Sequence, residues 1–149
     1  MPVNIALLNP QSSENLATAL RSGQNLGAHT IMVVGGFIEK KYQGSIHKFT
    51  HQMDTQNGVD NLNLVYFKTI EEFLQALPAR TTLVVVEMLK QAESLETYKH
   101  PQNGTYIFGT EKTGISRKEL QAIESYVDSL YCPVPGVRLE TSKHIPQLE

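Results

Sequence analysis

The segment YIFGTEKTGIS, residues 106–116, combines the residue types that a ligand-binding turn needs. An apolar run ends at Gly109, a polar stretch follows it, and Gly114 precedes Ser116, where a helical pattern begins. Glycines at such a turn allow tight main-chain conformations and the close approach of a ligand. The residues alone leave two interpretations open: a turn whose glycines serve geometry, and a pocket lined by main-chain atoms.

A second chemical feature is Arg21, which follows Leu16 in an amphipathic segment. At 100° per residue, Arg21 lies about 140° around the helix from Leu16 and therefore off the apolar stripe. Periodicity alone favours a solvated arginine.

Lysines and histidines gather in the segment EKKYQGSIHKFTH. Lys40, Lys41 and Lys48 form a local basic patch, although a solvated loop is the simpler interpretation. His47 and His51 have the spacing of a metal-binding helix face, but no third ligand is evident. We therefore expect no metal site.

Composition limits the function classes. The 149 residues predict one domain, 1–149, and the net charge of −2 argues against gripping nucleic acid by charge alone. No apolar run has the length of a membrane span, and the N-terminus does not read as a signal peptide. Cys132 is the only cysteine, so an intrachain disulfide is excluded and a cytoplasmic location is expected.

The elements that must position these residues alternate along the chain. Apolar, β-branched runs predict strands, and helical patterns with capping-box spacing at Thr69 and Glu72, and at Ser116 and Glu119, lie between them. The alternation predicts an α/β fold with a mainly parallel sheet and helices on both faces. Residues 36–61 are weakly marked. The predicted strands are 3–9, 29–35, 62–67, 82–88 and 105–109, with a weaker sixth at 129–134.

The turn after the first strand, NPQSSEN, contains no glycine. Dinucleotide-binding folds and P-loops need glycines there so that the main chain can approach phosphate. Neither signature occurs in the chain, so NAD, FAD and P-loop nucleotide enzymes are disfavoured.

Two motifs carry a resemblance to a known family. The segment NPQSSENLATALRSGQNLGA resembles the first motif of the SpoU/TrmH-type RNA 2′-O-ribose methyltransferases of the SPOUT superfamily. The segment YIFGTEKTGIS resembles their second motif, with Gly109, Glu111 and Gly114 at the matching positions. The matching residues of the first motif are Asn9, Pro10, Asn15, Arg21 and Gly27.

The third motif matches only at its start. Cys132, Pro133, Val134 and Gly136 fit, but the Ser-Leu-Asn that follows in the family is absent. Residues 142–144 or residues 138–140 are alternative replacements for it. The resemblance implies a C-terminal trefoil knot, and a chain ending at 149 is expected to make that knot shallow or incomplete.

The resemblance also implies S-adenosylmethionine as methyl donor and a ribose 2′-hydroxyl of tRNA or rRNA as acceptor. Arg21 would position the reacting groups, Asn15 would bind RNA or orient Arg21, and Glu111 would fix the local loop. Further RNA contacts are expected from Asn9, Lys40, Lys41 and Lys48. The implied donor-binding residues are Met88, Gly109, Glu111, Cys132, Val134 and Ser142.

The resemblance implies a homodimer in which Arg21 serves the partner subunit's site. An RNA 2′-O-methyltransferase is the leading hypothesis. The aberrant third motif supports an alternative, a catalytically impaired SPOUT protein that binds the donor, RNA or another partner. An unrelated flavodoxin-like binder explains the alternating strands and helices but not the two motifs.

Overall fold

The protein was analysed as a computed structural model. The structure describes residues 3–53, 63–77, 81–87, 93–94, 97–110, 113–131 and 146–147. Within these ranges, side chains are described except at 93–94, 127–131 and 146–147.

A five-stranded parallel sheet forms the centre of the fold. Its spatial order is β3-β2-β1-β6-β4, while β5 and β7 pair separately as a short parallel ladder. The predicted parallel sheet is therefore confirmed. The described strands are β1 (Val3–Leu8), β2 (Thr30–Val34), β3 (Asn63–Phe67), β4 (Thr82–Val86), β5 (Glu93–Ser94), β6 (Gly104–Phe108) and β7 (Pro146–Gln147).

Helices connect the strands. The weakly marked stretch contains two short helices, and the last helix continues to Tyr131, so the prediction of a strand from residue 129 was wrong for its first three residues. The helix that starts after Ser116 continues through this segment, so tertiary context outweighs its strand preference. The described helices are α1 (Ser13–Asn25), α2 (Phe37–Tyr42), α3 (Ile46–Gln52), α4 (Ile70–Gln75) and α5 (Arg117–Tyr131).

Both faces of the sheet are covered. Met32 and Val34 of β2 point into a core with α4 and α5, whereas Ile31 and Val33 point into a second core with α1, α2 and α3. Successive side chains of a strand face opposite ways, so a strand buried on both sides reads as a continuous apolar run. This arrangement confirms helices on both faces.

The order in which the chain adds strands to the sheet reverses between β1 and β6. The chain moves from β1 to β2 and β3 on one side, while β6 and β4 lie on the other. In parallel sheets of this kind, ligands bind beyond the carboxyl ends of the strands at such a switch point. Asn9 follows β1 and Gly109 follows β6, so these two residues flank the expected crevice.

Among the described residues, none of the helices has the length and apolar character required to cross a membrane. The trefoil knot depends on residues around 132–145, which lie outside the described ranges, and stays a prediction.

Candidate functional site

The turn that follows β6 closes on itself. We call residues 109–110 and 113–116, the described part of this segment, the second-motif turn. Gly114 N donates to the carbonyl oxygen of Thr110 at 2.8 Å, and the hydroxyls of Thr110 and Thr113 lie 2.6 Å apart. Gly114 has a φ of 65°, which L side chains rarely adopt. The prediction that Gly114 turns the chain before the helix is confirmed.

Gly109 lies in close contact with the returning arm of the same turn. A Cβ atom at Gly109 would lie 2.6 Å from the carbonyl oxygen of Gly114 and would also collide with Ile115 N. The missing side chain therefore has an intramolecular reason: it allows the turn to fold against the end of β6. A contact between Gly109 and the methyl donor stays a prediction.

Glu87, the first residue after β4, holds this turn. Its Oε2 atom accepts a hydrogen bond from Ile115 N at 2.7 Å. The carboxylate also lies directly against Gly114, since a Cβ there would be 3.1 Å from Oε1 and would overlap Oε2. The resemblance implied that Glu111 fixes this loop, and Glu87 was not predicted, since its one signal in the sequence is its place at the carboxyl end of a strand.

Glu119 of α5 holds the next residue. Its Oε1 atom accepts from Ser116 N at 3.1 Å, while Ser116 Oγ accepts from Glu119 N at 3.1 Å. This reciprocal pair is the capping box that the sequence predicts. The other carboxylate oxygen accepts a hydrogen bond from Asn9 Nδ2.

Asn9 therefore joins the first motif to the helix of the second. It has a φ of 51°, and its main-chain N donates to the carbonyl oxygen of Val34 at 2.7 Å. Asparagine tolerates this left-handed conformation better than most residues. The side chain that the sequence analysis assigned to RNA is half-buried and bonded to Glu119, so the structure gives Asn9 a role in shaping the edge.

Asn15 and Arg21 both lie on the exposed face of α1, away from the buried Leu16 and Leu20. Their separation of six residues corresponds to about 9 Å along the helix and about 120° around it. The two side chains therefore do not meet within one helix, and orientation of Arg21 by Asn15 is not supported. Among the described residues, the Arg21 guanidinium has no hydrogen-bond or ion-pair partner.

The structure brings the three predicted lysines onto one pair of helices. Lys40 and Lys41 are exposed in the last turn of α2, and Lys48 is exposed on α3. The two helices are joined through Phe49, whose ring centroid lies 5.4 Å from that of Phe37 and 5.5 Å from that of Tyr42.

An acidic neighbour of these lysines is held in place by β3. Glu39 Oε2 accepts from the Tyr66 hydroxyl at 2.9 Å, and Lys68 Nζ lies 3.7 Å from Glu39 Oε1. Burial, followed by the hydrogen bond and charge of Glu39, raises the pKa of Tyr66 to about 12. The carboxylate is thus turned towards β3.

A cleft of about 500 Å³ lies between α4 and α5 beside Asn9. Lys68 and Lys118 line it together with Glu71 and Glu119. The opposite charges balance, so this cleft has no evident preference for an anion.

Five predicted site residues lie outside the described residues, so the structure gives no account of them. Of the residues predicted to bind the donor, Gly109 lies within the described ranges. Neither His47 nor His51 belongs to a group of three potential metal ligands within those ranges. The five residues are Met88, Glu111, Cys132, Val134 and Ser142.

Comparison with solved structures supports the fold. A chain from a study of 2-OH methylation of C/U34 on tRNA superposes with a TM-score of 0.60 at 17% identity, covering 99% of this chain and 85% of that chain. Ribosomal RNA small subunit methyltransferase E from Neisseria gonorrhoeae, bound to S-adenosyl methionine, gives 0.61 at 15% identity and covers 99% and 60%.

A SpoU methyltransferase from Streptomyces viridochromogenes, in complex with the cofactor AdoMet, gives a TM-score of 0.62 at 17% identity. The match covers 99% of this chain and 49% of that protein, so this chain spans about half of that relative's length. The comparison with curated protein sequences found no significant match.

The SpoU rRNA Methylase family model matches residues 2–128, which include both sequence motifs, the whole parallel sheet and the second-motif turn. The chain belongs to the SpoU rRNA Methylase family.

Proposed function

We propose that this protein is an S-adenosylmethionine-dependent RNA ribose 2′-O-methyltransferase. The observation that carries the proposal is the second-motif turn, held at the switch point of a sheet that the SpoU family model covers. Support for the donor comes from two fold relatives that bind S-adenosylmethionine, and support for the reaction from a relative studied for 2-OH methylation on tRNA.

The turn is suited to a nucleoside because it offers main-chain groups at a fixed position. Adenine edges pair with main-chain N–H and C=O groups, so recognition does not require particular side chains. S-adenosylmethionine supplies an electrophilic methyl group on a sulfonium. The proposed donor contacts are Met88, Gly109, Glu111, Cys132, Val134 and Ser142.

Arg21 is the proposed positioning group for the RNA. A guanidinium binds a phosphate through two parallel hydrogen bonds and so fixes the neighbouring ribose. A guanidinium has no free lone pair to take up a proton and is a poor base, so we assign Arg21 to holding the 2′-hydroxyl in line with the methyl group, with phosphate-assisted loss of the proton.

The RNA surface is proposed to extend over α2 and α3. Lys40, Lys41 and Lys48 are exposed there, while Glu39 is drawn away by Tyr66 and Lys68. Asn15, exposed at the start of α1, is a further proposed contact, whereas Asn9 is committed to Glu119.

A homodimer is proposed because Arg21 and the second-motif turn are not in described contact within one chain. Two large apolar residues also remain accessible: Leu26 is 87% exposed and Val3 is 40% exposed. A single domain and a cytoplasmic location remain proposals.

Subunit complementation tests the shared site. Arg21→Ala and Gly114→Val are each expected to be inactive, the first in RNA positioning and the second in donor binding. When the two are refolded together in equal amounts, random pairing regenerates about a quarter of wild-type activity if Arg21 acts across the interface. Complete inactivity of the mixture, at a confirmed heterodimer population, would place Arg21 in its own subunit's site.

Methyl transfer to bulk tRNA and to rRNA, followed by nucleoside mass spectrometry, tests the activity directly. A 2′-O-methylated nucleoside is expected with wild-type protein and S-adenosylmethionine, and not without the donor. If calorimetry detects donor binding but no methyl transfer is found, the result would favour the alternative, a SPOUT-fold binding protein that lacks catalysis. The aberrant third motif is the observation that supports this alternative.

A further inference from the structure

Glu87 occupies a position from which β4 can act on the second-motif turn. Val86 pairs with Phe108 in the parallel ladder, so the next residues along the two strands, Glu87 and Gly109, leave the sheet side by side. From there the Glu87 side chain crosses to the far arm of the turn, where Oε2 accepts from Ile115 N at 2.7 Å.

The fit between Glu87 and the turn is close on two sides. Ile115 is buried, so its N–H needs an acceptor, and an ionised carboxylate is a strong one. Gly114 also meets the carboxylate directly, because any Cβ at that position would overlap Glu87 Oε2. The glycine thus serves both the positive φ of the turn and the approach of the acid.

Two carboxylates hold successive main-chain amides of this turn. Glu87 of the β4 edge binds Ile115 N, and Glu119 of α5 binds Ser116 N. Glu119 belongs to a capping box, which many helices have, and its bond is explained by helix α5 itself. Glu87 belongs to another element, so helix capping does not explain its bond.

We propose that Glu87 is a positioning residue for the methyl donor, which holds the main chain of the second-motif turn in the shape that receives the donor. This inference rests on the proposed function. Glu87 acts through Ile115 and Gly114 and is not itself assigned a donor contact. Loss of its carboxylate frees the turn before the donor arrives, so donor binding must then order the turn, and affinity falls.

The test compares Glu87→Ala with Glu87→Gln and with Glu72→Ala. Glutamine keeps an acceptor oxygen of similar reach, so it is expected to restore the bond to Ile115 N. Glu72 is a matched control, because its carboxylate accepts from a main-chain amide, Lys68 N at 3.2 Å, at the start of α4 and outside the turn.

For Glu87→Ala, the dissociation constant and KM for S-adenosylmethionine are expected to rise about tenfold, the effect of losing one charge-assisted hydrogen bond. The kcat at saturating donor and the affinity for RNA are expected to stay within about threefold, because bound donor reorders the turn. Glu87→Gln is expected to regain most of the affinity. Glu72→Ala is expected to lower thermal stability without changing donor binding.

Amide hydrogen exchange gives a readout that does not depend on activity. The Ile115 amide is expected to lose protection in Glu87→Ala and to keep it in Glu87→Gln. Should Glu87→Ala fail to fold, Glu87→Asp, whose side chain is one carbon shorter, is expected to give the same pattern more weakly.

Unchanged donor affinity in Glu87→Ala, or equal losses in the alanine and glutamine variants, would overturn the positioning role. An equal loss of donor affinity in Glu72→Ala would reduce the effect to general destabilisation and overturn it too. If the wild-type protein binds no donor, the proposed function and this inference are overturned together. If the wild-type protein binds donor and Glu87→Ala binds it with the same affinity, the inference alone is overturned.

Discussion

The two motif regions are built in opposite ways. In the second-motif turn, main-chain amides are held by Glu87 and Glu119, and the turn is closed by its own Thr110–Gly114 bridge. On α1, in contrast, Asn15 and Arg21 are exposed, and no described residue binds the guanidinium. A small donor benefits from a site that is ordered in advance, whereas a large RNA can order exposed side chains as it binds.

This difference separates two kinds of variant. Changes at the turn should alter donor affinity and stability together, because the same hydrogen bonds serve both. Substitutions of the exposed residues of α1 should leave donor affinity and folding intact and should slow the methyl-transfer step, because these side chains do not contribute to the described core.

Arg21→Ala is the largest expected effect. Misplacement of the acceptor should lower methyl transfer by about 100-fold or more, with donor affinity within a few-fold of wild type. Single-turnover transfer and donor calorimetry on the same samples measure the two quantities. Arg21→Lys, which keeps the charge without the planar fork, is expected to recover only part of the rate. Transfer at the wild-type rate in Arg21→Ala would end the assignment.

Gly114→Ala tests the turn. The substitution forces a side chain into a φ of 65° and into the Glu87 carboxylate. Gly27→Ala is a matched control, because Gly27 has a φ of 84° but nothing within 4 Å of an added Cβ. We expect about 1 kcal/mol of destabilisation at Gly27 from the backbone alone, and roughly 1–3 kcal/mol more at Gly114 from the broken Ile115 contact.

Urea unfolding measures both glycine variants, and donor calorimetry should detect a loss in Gly114→Ala alone. Equal destabilisation at the two positions would mean that the approach of Glu87 contributes nothing, and the contrast between the two motif regions would then be weaker than the geometry implies.

The sequence predicted the parts of this molecule that depend on neighbouring residues. The apolar runs located the strands of the sheet, and the spacing of Ser116 and Glu119 located the start of α5. It also placed Gly114 in the turn, because a left-handed residue has a local signature.

Contacts between distant parts of the chain were not predictable in this way. Glu87 and Ile115 are 28 residues apart, and Asn9 and Glu119 are 110 apart. Glu87 belongs to no sequence motif, and its proposed role depends on β4 lying beside β6. Hydrophobic periodicity predicts strands but does not predict their order in the sheet. For the same reason the bond between Asn9 and the cap of α5 was not predicted, and the RNA contact assigned to Asn9 stays a prediction.

Asn9→Ala tests the bond that joins the two motif regions. Removal of the amide should destabilise the protein by about 1.5 kcal/mol, the lower end of the usual contribution of a hydrogen bond to a charged group. A double-mutant cycle with Glu119→Gln in urea unfolding should give a coupling of about 0.5–1.5 kcal/mol. Additive effects would show that the two residues act separately and would leave the RNA role of Asn9 open.

The exposed lysines of α2 and α3 should behave like the exposed side chains of α1, so their substitution should affect RNA binding and not donor affinity. Lys40→Ala, Lys41→Ala and Lys48→Ala are each expected to weaken RNA binding about threefold and to reduce the slope of log affinity against log salt by up to about one. Lys99→Ala is a suitable control, because Lys99 is also exposed but lies on another part of the described chain. The same loss at Lys99 would indicate general charge attraction without a defined RNA surface.

The smallest expected effect is the pH dependence from Tyr66. Burial raises its pKa from 10.0 to about 12, with Glu39 adding a hydrogen bond and a negative charge. Below pH 10 the phenol is protonated in both states, so its contribution to stability is fully present. Above pH 10 the unfolded chain ionises while the folded protein resists, so stability is lost as pH rises towards 12. Urea unfolding across this range should show a shallower decline in Tyr66→Phe than in wild type. Tyrosinate absorbance should show a late-titrating component that Tyr66→Phe removes and that Glu39→Gln moves back towards pH 10. Identical pH slopes for wild type and Tyr66→Phe would mean that the Glu39 contact does not hold the phenol, and that Glu39 is free to repel RNA phosphate beside Lys40 and Lys41.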